Sequence, residues 1–224
     1  MSEKNIRTIL FDLDGTLADT APDMVGALNQ VLAEENQQPV LLEKYRNHVS
    51  HGTAHLIKLA YGEQQPETDY KRRIKRFLEI YQSRLCDETA LFPGMAELLE
   101  TIENASKNWG VVTNKPAWLT NPLMELLGLH KRSTCTISGD TVAERKPHPL
   151  PMLTAAKLAS SQPEQCIYLG DAERDIQAGN AAGMQTLIAN WGYIDDEQSP
   201  NTWGANGSID TPLETLRWLE RTAA

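Results

Sequence analysis

Phe11-Asp12-Leu13-Asp14-Gly15-Thr16 closes an apolar run that begins at Ile6, and the reading of this junction decides the fold. A run so short, rich in branched side chains and without polar alternation, reads as a strand buried on both faces. Asp12 and Asp14 lie two positions apart at its end and so project to the same side. Gly15 then lets the backbone turn sharply. An acidic turn after a strand is common, so the meaning of this one depends on its surroundings.

Other short apolar runs repeat the pattern. Residues 109–112 lead into Thr113, residues 166–169 lead into Gly170-Asp171, and 134–138 and 185–189 are further runs of strand length. From Gly94 onward these runs alternate with helical spacing: Met95, Leu98, Leu99 and Ile102, then Leu119, Leu123, Leu126 and Leu127, then Leu153, Ala156 and Leu158. Such alternation predicts an α/β fold, a doubly wound parallel sheet (Rossmann-like) with helices on both sides. Between about Thr20 and Glu88 the alternation stops and only helices are expected, over 21–35, 53–61 and 67–85. In the last, Tyr70, Ile74, Phe77, Leu78, Tyr81 and Leu85 form one apolar stripe. We therefore expect a catalytic core of residues 1–19 and 89–224, and an all-helical cap of residues 20–88 over the carboxyl edge of the sheet, where open α/β folds bind ligands. Residues 191–206, rich in Gly, Asn, Asp and Ser, read as a surface loop before a final helix begun by Pro212.

Composition narrows the functions open to such a chain. Its 224 residues, 41% apolar, suffice for a large core or for a domain carrying an insertion. A net charge of −9 excludes a nucleic-acid or anionic-membrane surface. It leaves room for a small phosphorylated substrate, because a bound cation inverts the local field. Cys86, Cys135 and Cys166 are odd in number and form no C-x-x-C pair, which fits buried free thiols. With so brief an apolar run near the N-terminus, a cytoplasmic protein is expected. A monomer and a homodimer are both compatible with the sequence.

Three further segments carry polar chemistry. Gly170-Asp171-Ala172-Glu173-Arg174-Asp175 caps one apolar run; Val112-Thr113-Asn114-Lys115-Pro116 follows another; Arg145-Lys146-Pro147-His148-Pro149 precedes a proline-started helix. Singly, each also reads as a helix cap or a solvated loop. Jointly, a doubly wound sheet brings them to one edge. There Asp12, Asp14, Asp171 and Asp175 would set four negative charges against the one of Lys146. A phosphate dianion joins such a group only with a divalent cation. Magnesium fits, since it prefers oxygen ligands and binds through one or two carboxylates plus substrate phosphate.

FDLDGTLADT, VVTNKP, KPHP and GDAERDIQAGNAAG, taken together, resemble the four motifs of the haloacid dehalogenase superfamily, and the helical insert resembles its small helical cap. DGTLADT and TNKP resemble the phosphoglycolate phosphatase group; LFPGMAELL, WGVVTNKP and GYI followed by NTWGA resemble N-acetylmuramic acid 6-phosphate phosphatases. The resemblance implies magnesium-dependent (Mg2+) hydrolysis of a small phosphorylated metabolite through an aspartyl-phosphate. It makes Asp12 the nucleophile and Asp14 the acid and then the base. It assigns magnesium to the Asp12 side chain, the Asp14 carbonyl and Asp171. It gives Lys146 the neutralisation of the transferring group, and Thr113 and Asn114 its oxygens. Asp175 is expected to orient Lys146 or a metal-bound water, and Thr16 to brace the loop.

Ser50, His51 and Gly52 fall where the superfamily's cap has a specificity loop. His51 could meet a substrate carboxylate or sugar; equally, Ser50 could cap a helix beside exposed histidines. His51 with His55 could form an i, i+4 metal pair, although no acidic partner stands in that segment. Trp191 and Tyr193 could rim the pocket or pack. A phosphomutase (beta-phosphoglucomutase-like) uses the same four motifs and is the alternative activity, and a non-catalytic binding module is a third reading.

Overall fold

The structure is a computed structural model and describes residues 6–220. Strand β1 (Thr8–Phe11) is followed by a two-residue β2 (Ala18–Asp19) and by helices α1 (Ala21–Glu34), α2 (Leu42–Tyr45), α3 (Thr53–Tyr61) and α4 (Glu67–Ser83). The chain returns through β3 (Ala90–Leu91). It then runs α5 (Met95–Asn104), β4 (Asn108–Val112), α6 (Ala117–Leu126), β5 (Thr136–Ile137), α7 (Leu150–Leu158), β6 (Cys166–Gly170), α8 (Glu173–Ala181), β7 (Gln185–Ala189), β8 (Gly207–Ile209) and α9 (Thr215–Glu220).

The main sheet has the order β5-β4-β1-β6-β7-β8, and every neighbouring pair is parallel. This is the expected doubly wound α/β sheet. β1 lies inside it, between β4 and β6, and all four of its residues are buried, which explains a run without polar alternation. Ile9 and Phe11 face one apolar layer, where Phe11 meets Trp109 edge-on; Leu10 faces the other, with Tyr168 and Met152 of α7. Burying each such side chain contributes about 1.5–3 kcal/mol. At Gly110 in β4 an added Cβ would stand 2.6 Å from Cys135 Sγ and 2.9 Å from the Cys135 carbonyl oxygen, so this close approach of strands needs glycine.

The sheet has one strand more than the sequence suggested. β8 is only three residues, Gly207-Ser208-Ile209, with no apolar run to signal it; its register comes from pairing with β7. β5 shrinks to two residues, although Thr134 N and Cys135 O still bond to the backbone of Trp109 and Val111. α4 stops at Ser83 rather than Leu85, and Arg84 turns its guanidinium to buried Asp23. Pro212 begins a short 3-10 turn ahead of α9.

The helices between β2 and β3 pack α1 against α4, and their apolar side chains run continuously into those of β1 and α5. β2 and β3 pair antiparallel, so the chain enters and leaves this helical segment through one short ribbon that the sequence did not signal. Asp23 pins the junction: its carboxylate accepts Glu88 N, Thr89 N and the Thr89 hydroxyl at 2.8–3.0 Å. Among the described residues no helix is long and apolar enough to cross a membrane.

Candidate active site

The carboxyl ends of β1, β4 and β6 deliver the site. Asp12 extends the ladder by one bond, its N–H donating to Leu169 O at 2.9 Å, so the buried carboxylate is fixed by the sheet. Its Oδ1 accepts Leu13 N at 2.8 Å and lies 2.9 Å from Lys146 Nζ. Lys146 is buried, with Asp175 Oδ1 at 2.7 Å, Tyr168 OH at 2.8 Å and Val112 O at 2.9 Å around the same ammonium. Asn114 holds the lysine's backbone from both sides: Lys146 N donates to Asn114 Oδ1, and Asn114 Nδ2 donates to Lys146 O. Asp175, in the first turn of α8, also receives Ala172 N at 3.1 Å.

Asp171 caps β6 and is fully buried, and among the described residues no lysine or arginine forms an ion pair with it. Thr16 Oγ1 donates to its Oδ1 at 2.9 Å, and Ser50 Oγ (3.0 Å) and Tyr193 N (2.8 Å) donate to its Oδ2. Two glycines let the chain crowd this carboxylate. A Cβ on Gly15 (φ +90°) would fall 2.2 Å from Asp171 Oδ2, and one on Gly192 would fall 2.2 Å from Asp171 Cβ.

Asp12, Asp171 and Asp175 each place a carboxylate oxygen within 4.8 Å of the others. Burial raises the Asp12 pKa to about 6, Lys146 opposing and Asp175 reinforcing the shift. Burial, then Asp12 and Asp175, raises that of Asp171 to about 7. These acids are short of positive charge. A divalent cation with oxygen ligands fits this donor set and removes the mutual repulsion.

Two cations were missing from the charge count made on sequence. Lys115 is buried with its Nζ 2.8 Å from Asp14 Oδ1 and 2.7 Å from Tyr81 OH of α4; burial works against its charge, but Asp14 and Tyr81 outweigh it and raise its pKa well above the usual range. Arg174 is held charged in the same way, Asp175, Asp12 and Asp171 outweighing burial, and it donates to Ser50 O at 2.8 Å. Both residues stood inside the quoted motifs, yet helix and strand periodicity says nothing about which carboxylate a lysine side chain reaches across the fold.

A cavity of about 550 Å³ opens between the sheet edge and the helical segment, and Asp12, Asp14, Thr113, Lys115, Lys146 and Arg174 line it. Asp14 Oδ1 also accepts the Thr20 hydroxyl at 2.7 Å, and Thr113 Oγ1 accepts Lys115 N at 3.1 Å. Ser50, His51 and Gly52 form part of its wall. The helix-cap reading of Ser50 is corrected: α3 is preceded by Gly52 (φ +81°) with no side-chain cap, and the Ser50 hydroxyl turns to Asp171 instead. Tyr193 does not rim the cavity. It is buried, donating its hydroxyl to Asp19 and accepting Ala21 N, while Trp191 Nε1 donates to Thr16 O.

Residues 9–189 match the family model described as haloacid dehalogenase-like hydrolase. The chain belongs to the haloacid dehalogenase-like hydrolase family. A phosphoglycolate phosphatase of Xylella fastidiosa is 44% identical over 209 residues, 92% of this chain and 90% of that protein. An N-acetylmuramic acid 6-phosphate phosphatase of Pseudomonas putida is 41% identical over 216 residues, 96% of each chain. Among solved structures, a predicted phosphoglycolate phosphatase of Haemophilus somnus aligns with a TM-score of 0.85 at 24% identity, covering 96% of this chain and 98% of that one. CbbY of Rhodobacter sphaeroides, solved in complex with phosphate, aligns with a TM-score of 0.72 at 27% identity, covering 96% and 99%. This haloacid dehalogenase-like hydrolase is thus an enzyme whose relatives are phosphatases, as the four motifs implied.

Proposed function

We propose that this phosphatase hydrolyses a small phosphorylated metabolite through an aspartyl-phosphate on Asp12, with magnesium as cofactor. The observation that carries the reading is the carboxylate of Asp12, fixed at the cavity wall beside Lys146, with Asp14 next to it and its own lysine in place. Leu13 N and Lys146 Nζ engage Asp12 Oδ1, which leaves Oδ2 to attack phosphorus. Lys115 and Thr20 engage Asp14 Oδ1, which leaves Oδ2 to pass a proton to the leaving oxygen and later to take one from the attacking water. Lys146, oriented by Asp175 and held by Asn114, neutralises the transferring group, and the Thr113 hydroxyl donates to one of its oxygens. Asn114 thereby acts one step back from the role expected of it. Asp12, the Asp14 carbonyl and Asp171 would hold magnesium, with Thr16 bracing Asp171. Bound there, the ion supplies the positive charge that lets a phosphate dianion join buried carboxylates.

In the same reading residues 20–88 are a cap on a core of 1–19 and 89–224, and the setting is cytosolic. Phosphoglycolate and N-acetylmuramic acid 6-phosphate, the substrates named for the two groups of relatives, each carry a carboxylate besides the phosphate. Arg174 of α8 and the Ser50–His51 loop of the helical segment both line the cavity, where such a carboxylate would be met. A panel of phosphorylated metabolites with a released-phosphate readout, with and without EDTA, tests the reading. Asp12→Asn should keep the fold and release no phosphate. Full activity in that variant or in EDTA refutes the mechanism, and an isomerised sugar phosphate as product makes the enzyme a mutase.

A further inference from the structure

We propose that His48, His51, His55 and Asp195 form a second cation site, selective for a transition-metal ion of the zinc class. They come together from separate parts of the chain. His48 and His51 lie on the 3-10 turn that precedes α3, His55 in the first turn of α3, and Asp195 on the loop after β7. The rings of His51 and His55 have centroids 4.7 Å apart, those of His48 and His55 5.5 Å, and those of His48 and His51 6.5 Å. One ligand atom each from His48, His51 and Asp195 falls within 4.8 Å of the other two, and His51 Nε2 is 3.6 Å from Asp195 Oδ2. Zinc bonds imidazole nitrogen at about 2.0–2.1 Å, which puts neighbouring ligand atoms of a tetrahedral site roughly 3.4 Å apart. These three are thus slightly open around an ion, and His55, whose ring packs beside both histidines, stands outside the set as the fourth donor that must turn inward.

An independent observation comes from His55. Its Nε2 is buried and has no hydrogen-bond partner among the described residues. Buried polar atoms nearly always find a partner, so an orphaned imidazole nitrogen beside two other imidazoles calls for one. Burial, with His51 and His48 close by, lowers the His55 pKa and favours the neutral ring, the form that ligates a metal. The donors also separate this site from the acidic cluster. Imidazole nitrogen suits zinc, whereas magnesium prefers oxygen alone.

Its position gives the site a consequence. The three histidines belong to the helical segment and Asp195 to the loop whose Tyr193 N holds Asp171. A bound ion would clip the Ser50 loop to the sheet edge, beside the Ser50–Asp171 and Arg174–Ser50 hydrogen bonds. None of this depends on the catalytic reading.

The test is zinc titration by calorimetry in saturating magnesium, followed by metal analysis of the desalted full-length protein. One equivalent of zinc should bind to the wild type and to Asp171→Asn. His51 is exposed, so His51→Ala should fold normally. It should weaken zinc binding by more than the about 10–100-fold that loss of an outer-shell partner brings. Cobalt in place of zinc should give the intense visible absorption of a four-coordinate, nitrogen-rich site, and His48→Ala with His51→Ala should abolish it. Zinc affinity unchanged in His51→Ala, or lost only in Asp171→Asn, overturns the proposal.

Discussion

Replacing Lys115 by methionine keeps most of the side chain's volume and removes one buried charge. The ammonium it deletes lies 2.8 Å from Asp14 Oδ1, with the lysine side chain 5% and the aspartate side chain 16% exposed. Removing one partner of a buried pair costs about 3–5 kcal/mol, because the other charge is left uncompensated. Asp14 keeps the Thr20 hydroxyl and some solvent, which places the loss at the low end, about 3 kcal/mol. For a chain of this size that is a fall in Tm of roughly 6–12 °C. The decisive comparison is a double-mutant cycle by urea denaturation. Asp14→Asn alone strands the lysine, but Asp14→Asn together with Lys115→Met removes both charges and should recover about 2–3 kcal/mol relative to the sum of the single losses. Losses that simply add would show that the pair is not coupled and that the lysine is solvated.

Asp23→Ala leaves Glu88 N, Thr89 N and the Thr89 hydroxyl without their buried acceptor, and urea denaturation should register a loss of about 3–5 kcal/mol. In EDTA, stability should fall as pH rises from about 4 to about 7. The unfolded carboxylates release their protons near 3.8, while folded Asp12 and Asp171 hold theirs to about 6 and about 7, so the native state binds more protons across that window. Calorimetry in magnesium should show the fall suppressed. Gly192→Ala drives a methyl to within 2.2 Å of Asp171 Cβ and 2.7 Å of Gly15 O, and should raise the magnesium concentration for half-maximal phosphate release by about tenfold or more.

The sheet was legible because its inner strands are buried on both faces. Ile9-Leu10-Phe11 and Ile167-Tyr168-Leu169 leave no other reading for runs of that length. Gly207-Ser208-Ile209 has no such signature, and its place at the sheet edge is decided by β7. The acids at the strand ends could be read too, since strand termini in this topology converge on one edge. What stayed hidden are contacts made by long side chains and distant loops. Lys115 reaches Asp14 across 101 positions, and Ser50 reaches Asp171 across 121. His51 and His55 could be paired by helical spacing, but His48 and Asp195 join them only through a 3-10 turn and a remote loop.

The ribbon of Ala18–Asp19 with Ala90–Leu91 has a consequence for how this scaffold tolerates change. Both tethers of the helices leave the sheet side by side, so lengthening or shortening what lies between them moves neither tether. Extra residues there cost only the slow logarithmic growth of loop-closure entropy. The helical segment that lines the cavity can therefore be rebuilt wholesale, while the strands carrying Asp12 and Asp171 keep their register.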